Sequence, residues 1–315
     1  AGQTITFGTL ANKNYGDAPF SVGATASSGL AVSFSIFSGP ATTSGTNVTI
    51  TGAGTVIVRA SQAGDTNYNA APNLDQSFTV APANQTIAFG ALANKNYGDA
   101  LFSVSATASS GLPVSFSVFS GPATISGTNV TITGAGTVVV RASQAGNTNY
   151  NAAPNVDQSF AVAKADQTIT FDSLPNKALG ESAFAVTATA SSGLPVSFSI
   201  LSGPATISAG TVALTNTGTV VVRASQAGDA DYNAASNVDQ TFTAYPPPSL
   251  SLAASDQDVV LSWTTNVAGF TLLSATDLAP GGSWTPVVPA PVVVNGQYVV
   301  TNAASGTLKF YRLKK

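Results

Sequence analysis

Few residues in this chain can do chemistry, and their types set narrow limits. The 315 residues include no His and no Cys, so thiol nucleophiles, Ser-His-Asp triads, imidazole proton transfer and the common zinc sites cannot be built. Carboxylates remain, but the only Glu is Glu181, and earlier copies of its segment carry Asp17 and Asp99 there. No general acid or base is therefore shared between copies, and the sequence predicts a protein that is not an enzyme. Oxygen ligands gather best in the segment 62–72, whose Asp65 becomes Asn147 and then Asp229 with Asp231 in later copies. A calcium site needs several converging oxygens, so the expectation is no cofactor, with calcium at the domain joints as the one alternative. Lys13, Lys95 and Lys177 recur together with Asn73, Asn155 and Asn237, the residue types of an intramolecular Lys–Asn amide bond. That bond needs a neutral, buried Lys beside a protonated carboxyl, whereas Lys13 lies among Asn12, Asn14 and Tyr15 and reads as a solvated lysine. Trp263 and Trp284 offer faces on which a sugar can stack, against a core role for Trp263 in mid-strand.

The segment 62–72, Gln-Ala-Gly-Asp-Thr-Asn-Tyr-Asn-Ala-Ala-Pro, recurs from Gln144 and from Gln226. Its Asn, Tyr and Gly content suits a recognition loop carried on a rigid scaffold. On that reading Asn67, Tyr68, Asn149, Tyr150, Asp231 and Tyr232 are the candidate contacts for a glycan or protein ligand. The alternative is architectural: Tyr68, Tyr150 and Tyr232 pack on their own or the adjoining domain while Asx turns close the loop. Recurrence at every joint favours the second reading.

These residues are positioned by a repeat. Gln3, Gln85 and Gln167 each open a Gln-Thr-Ile run 82 residues after the previous one, and Arg59, Arg141 and Arg223 follow the same spacing. A unit that long encloses its own core, so the chain is a string of domains rather than a solenoid. In the first unit, alternating or β-branched runs predict seven strands, at residues 3–7, 20–27, 32–38, 41–44, 47–51, 55–62 and 76–80, separated by Gly- and Pro-bearing turns. Val56 and Val58 share one face of the sixth strand. Ile57 lies on the nominally outer face, as Val139 and Val221 do later, which implies that this face is covered. Joins of four residues, 81–84 and 163–166, restrict bending, so a stiff row is expected, each domain adding about 30 Å.

Gln-Thr-Ile-Thr-Phe, Ser-Ser-Gly-Leu-Pro-Val-Ser-Phe, Gly-Thr-Val-Val-Val-Arg-Ala-Ser-Gln-Ala-Gly and Tyr-Asn-Ala-Ala resemble the tandem Ig-like repeats of bacterial secreted and surface proteins. The resemblance covers residues 1 to about 245 and implies β-sandwiches used as stalks, adhesins or spacers, with no particular activity. Residues 249–315 depart from the repeat. Strands are expected at 249–253, 259–263, 270–273, 284–288, 292–294, 297–300 and 308–313, with Asn295-Gly296 as a type I′ turn. Val-Leu-Ser-Trp263 and Lys309-Phe310-Tyr311-Arg312-Leu313 resemble fibronectin type III-like modules of secreted bacterial proteins, in which a further strand normally follows. The expected fold is all-β: three tandem Ig-like sandwiches (1–82, 83–164, 165–244), a Pro-rich linker (245–248) and a C-terminal fibronectin type III-like sandwich (249–315).

Charged residues make up 8% of the chain and the net charge is −3. No basic patch serves nucleic acid, no apolar run spans a membrane, and weak mutual repulsion favours self-association. A chain that opens Ala1-Gly2-Gln3 and contains no Met is expected to be extracellular or at the cell surface after removal of a signal peptide. The function expected is a surface stalk or filament subunit, the alternative being an adhesin for a glycan or protein. In the filament, Phe310, Tyr311, Arg312 and Leu313 form an open edge. A neighbour's Thr4, Ile5, Thr6 and Phe7 pair with it head to tail.

Overall fold

The computed structural model describes residues 1–265, 269–278, 282–304 and 308–315. Among them every regular element is a strand, and the chain divides into two compact units, Ala1–Lys164 and Ala165–Lys315. The protein is all-β.

The first repeat contains β1 (Ile5–Phe7), β2 (Lys13–Asn14), β3 (Phe20–Ser21), β4 (Ala24–Ala26), β5 (Ser33–Ser38), β6 (Ala41–Ser44), β7 (Asn47–Ile50), β8 (Gly54–Ser61) and β9 (Leu74–Ala81). They form a four-stranded sheet β2-β9-β8-β5, a three-stranded sheet β3-β7-β6 and the pair β1-β4. Alternation in β8 does the sorting. Val56, Val58 and Ala60 are fully buried, while Ile57 and Arg59 point the other way and are half-buried. Val48, Phe78 and Val80 complete the core, with Phe20 packed edge-on to Phe78 at 5.4 Å. The outer face is covered by its own side chains: the Arg59 guanidinium donates twice to Asp75 at 2.8 Å and lies 3.8 Å from the centre of the Phe37 ring.

Nine strands thus stand where periodicity predicts seven. The run 20–27 is split, because Phe20–Ser21 pairs with β7 and Ala24–Ala26 with β1. The chain changes sheets at Val22-Gly23, a crossing that uninterrupted alternation conceals. The added strand, β2, runs parallel to the end of β9, with Lys13 opposite Val80 and Asn14 opposite Ala81. Two residues are too few to show a period. The same nine strands recur in the second and third repeats.

Residues after the Pro-rich segment form two facing sheets. One orders Ser251–Ser255, Asp258–Thr264, Gln297–Ala303 and Val292–Val294, and the other orders Thr285–Pro286, Thr271–Ala275 and Phe310–Lys314. Leu261, Trp263, Leu272 and Val300 fill the space between them. Asn295 and Gly296 both have positive φ, 49° and 76°, as a type I′ turn requires, and set Val294 opposite Gln297. Trp263 is 1% exposed and packs 5.4 Å from Tyr298, so it is a core residue. Its Nε1 has no hydrogen-bond partner among the described residues.

Candidate functional site

The recurring loop is built around one acceptor. Asp65 Oδ1 takes the amides of Asn67 and Tyr68, each at 2.8 Å. Asn147 Oδ1 does the same for Asn149 and Tyr150 at 2.9 and 3.0 Å, and Asp229 Oδ1 for Asp231 and Tyr232 at 2.8 and 2.9 Å. These are Asx turns, and a neutral amide oxygen serves as well as a carboxylate. That explains why Asp and Asn interchange here, and it commits the oxygen to backbone donors. Among the described residues no three His, Cys, Asp or Glu side chains cluster as metal ligands do.

Gly64 makes the turn possible. Its φ is +79°, and a Cβ there would sit 2.3 Å from the Tyr68 carbonyl oxygen. Beneath the loop, buried Gln3 donates Nε2 to Gln62 Oε1 at 2.5 Å and to the Asn69 carbonyl at 2.8 Å, and its Oε1 accepts from the Ser28 hydroxyl at 2.5 Å. Gln85 with Gln144 and Gln167 with Gln226 repeat the arrangement. Buried amides satisfied on both ends fix the loop base, so the Gln that opens each repeat is a clamp.

Inside the unit Ala1–Lys164 the second copy of the loop grips the first repeat. Asn149 Oδ1 accepts the Ala53 amide at 2.8 Å, and the Tyr150 ring meets Tyr15 edge-on at 5.3 Å. The linker is stitched in beside them, since the Ala83 amide donates to the Asn149 carbonyl and the Asn151 amide to the Ala83 carbonyl, both at 2.9 Å. Asn151 Nδ2 adds a bond to Asn84 Oδ1 at 2.9 Å. The receiving surface consists of the turn 14–17 and the hairpin at Gly52-Ala53. Asn14 donates its amide to Asp17 Oδ2 at 2.9 Å, which holds Tyr15 in place. A Cβ at Gly52 would lie 3.1 Å from the Pro40 Cβ and 3.2 Å from Asn149 Oδ1, so a larger side chain there would crowd the approach of the loop. Sequence reasoning singles out Asn149 and Tyr150 and misses Tyr15, Gly52 and Ala53. The signal available was that these three recur as Tyr97, Gly134 and Ala135 and then change to Leu179, Asn216 and Thr217.

The third repeat ends differently. Thr217 donates its amide to the neighbouring Asn216 Oδ1 at 2.8 Å. Glu181 keeps the role of Asp17 by accepting the Ala178 amide at 2.8 Å. Its longer side chain also accepts from Lys315 Nζ at 2.6 Å and lies 3.6 Å from Lys177 Nζ. Burial pushes the Glu181 carboxyl up, but the hydrogen bonds from Lys315 and the Ala178 amide, with both lysine charges, outweigh burial and hold it below its ordinary value of 4.5. Leu179, Glu181, Pro247, Phe270 and Lys315 line a cleft of about 610 Å³. Lys13 Nζ rests 4.8 Å from the Phe20 ring centre.

The remaining sequence candidates are dispersed. Ile5, Thr6 and Phe7 pair with Ala26, Thr25 and Ala24 of their own domain, the Thr4 carbonyl accepts the Ser27 amide at 2.9 Å, and Phe7 is buried. The leading segment is therefore a folded strand and not a free one, because its apolar face is needed for its own core. Phe310, Tyr311, Arg312 and Leu313 pair with Ala275, Ser274, Leu273 and Leu272, which places their strand at the edge of its sheet. Arg312 stacks 4.1 Å from the Trp284 ring, so Trp263 and Trp284 do not form one exposed platform. Asn67 is exposed and Tyr68 partly so.

No protein-family model matches the chain, and no curated protein matches it in sequence. Solved structures with some similarity include Drosophila N-cadherin EC1-4 (12% identity, 76% of this chain and 72% of that one, TM-score 0.29) and mouse cadherin-23 EC22-24 (13%, 78% and 99%, TM-score 0.29). The S-layer protein rSbsC(31-844) is a third (12%, 98% and 49%, TM-score 0.25). Such TM-scores carry no argument about function, and the sandwich assignment rests on the strand orders above.

Proposed function

We propose that this chain is a non-catalytic extracellular structural protein, a spacer of tandem Ig-like domains closed by a fibronectin type III-like module. The observation that supports this reading best is the joint between the first two repeats. The loop that sequence alone offers as a ligand contact is spent on the neighbouring domain through Asn149 and Tyr150. A domain that uses its Asn- and Tyr-bearing loop to fix its predecessor is built to hold an angle, and a four-residue join with two added backbone bonds leaves little freedom. The absence of His and Cys and the resemblance of the repeats to bacterial surface proteins agree with a spacer outside the cell. Residual dipolar couplings on the full chain test the joint. One common alignment frame is expected for the first two repeats, and separate frames in the wild-type chain would overturn the reading.

The edge strand Phe310–Lys314 supports a second reading, in which the same spacer is a filament subunit. Its donor strand has to come from somewhere other than residues 4–7, since these pair within their own domain and Phe7 belongs to its core. Negative-stain electron microscopy separates single spacers from fibres.

A further inference from the structure

The loop of the first repeat has the same construction as the loop that grips a neighbour, yet among the described residues it grips no neighbouring domain. Asp65 folds it as Asn147 folds its counterpart. Ala1 stands where Ala83 stands, its nitrogen donating to the Asn67 carbonyl at 2.7 Å and its carbonyl accepting the Asn69 amide at 2.9 Å. The linker half of the joint is thus already formed. What differs is the side chains: Asn149 is half-buried against Ala53 whereas Asn67 is exposed, with no hydrogen bond from its side chain and no ring against Tyr68 among the described residues.

We infer that Asn67 and Tyr68 form a docking surface for the end of another Ig-like repeat of this type, one carrying Tyr, Gly and Ala at the positions of Tyr15, Gly52 and Ala53. Asn67 Oδ1 accepts that domain's hairpin amide, and Tyr68 takes the edge of its tyrosine. The occupant is specified by the joint 82 residues downstream, where the same loop residues already hold such an end. It is not the last repeat of a second copy. That end has Leu179 in place of the tyrosine, a side chain at Asn216 that would crowd the approach, and its Thr217 amide already bound by Asn216. Head-to-tail stacking of identical chains through this loop is therefore disfavoured, and the loop instead selects repeats of the first kind. This inference rests on the joint described under the proposed function.

The test extends the full chain with an additional copy of residues 1–82 joined directly ahead of Ala1, segmentally labelled for NMR hydrogen exchange. The Ala53 amide of the added copy should exchange roughly tenfold more slowly than in the same protein carrying Asn67→Ala, the scale of one net hydrogen bond. In a second arm the added copy carries Tyr15→Leu, Gly52→Asn and Ala53→Thr. There the Tyr68 ring signals should stay where they are in the 315-residue chain, whereas the unaltered copy shifts them. The original Ala53, held by Asn149, is the internal control. If it is protected while the added copy's Ala53 exchanges equally fast with and without Asn67, the inference fails and the spacer reading stands. If neither is protected, both fail.

Discussion

The first and third repeats end on the same framework and present different surfaces. At the first end Tyr15 and the Gly52-Ala53 hairpin are flat and leave a backbone amide for the next domain's Asn149. At the third, Leu179, Asn216 and Thr217 occupy those positions, the amide is satisfied locally, and Glu181 reaches for Lys315 instead. One end receives an uncharged loop through hydrogen bonds and a ring contact; the other receives a different module through a charged pair beside Phe270 and Pro247. Four substitutions, Asn14 to Ala178 among them, and an Asp-to-Glu change separate the two receiving surfaces, which are carried on the same set of strands. The lesson is that in such rows the partner is chosen at the turn tips and not in the strands.

The largest expected effect comes from breaking the loop that makes the first joint. At Gly146 φ is +77° and an added Cβ would lie 2.3 Å from the Tyr150 carbonyl oxygen. Gly146→Ala should cost at least about 1–3 kcal/mol, the scale of a strained backbone position. It should also free the first repeat from the second, read as loss of the common alignment frame and a lower denaturation midpoint. A smaller effect separates grip from loop folding. Asn149→Ala with Tyr150→Ala removes one hydrogen bond and one ring pair and should cost about 1–2 kcal/mol. The matched pair Asn67→Ala with Tyr68→Ala should stay within about 0.5 kcal/mol, as surface changes do. Equal losses from the two pairs would show that these residues serve the loop alone.

How much of this was legible depends on the range of the interaction. Val56, Val58 and Trp263 announce themselves by alternation and strand position, and the core follows. The turn at Asn295-Gly296 is legible because only a few residues tolerate two positive φ values in succession. The architectural role of Tyr150, packing on the adjoining domain, is also legible, since the loop recurs where a joint must be. Tyr15, Gly52 and Ala53 were not, because their role exists only when a loop almost 100 positions away is folded against them. The contact of Glu181 with Lys315 spans an even longer stretch of chain. Residues 4–7 misled for a related reason: a strand at the start of a chain looks free until its partner, Ala24–Ala26, is known.

At the third end, Glu181→Asp should keep the bond to the Ala178 amide and lose the reach to Lys315. A partly exposed ion pair is worth about 0.2–1 kcal/mol, so the global midpoint should barely move. Residual dipolar couplings of the third repeat and the C-terminal module should nevertheless drift from one common alignment frame towards two, and salt should erase the difference between variant and wild type. An unchanged common frame would show that Phe270 and Pro247 hold the module without the charge.

Acid gives the smallest and most discriminating separation of the two ends. Glu181 is held below its ordinary value of 4.5, so it is more readily ionised folded than unfolded, and the stability it adds is fully present above that value and lost as pH falls through the folded one. The first joint is made through the Asn149 side chain, the Ala53 amide and the Tyr15–Tyr150 ring contact, not through a carboxylate. Asp17, which caps the Tyr15 turn, is replaceable by Asn in a control that keeps the acceptor. The Arg59–Asp75, Arg141–Asp157 and Arg223–Asp239 pairs also fail in acid. Their guanidinium hydrogen bonds hold the three carboxyls below 3.8, and all three repeats share them, so they weaken the repeats alike. Lowering the pH from neutrality to below the folded Glu181 value, itself under 4.5, should therefore separate the alignment frames of the third repeat and the C-terminal module while the frame shared by the first two repeats persists. With Glu181→Gln the separation should already be present at neutral pH and no longer depend on pH in that window. Simultaneous loosening of both ends in wild type, with the Asp17→Asn control unchanged, would mean that the charged pair does not distinguish them.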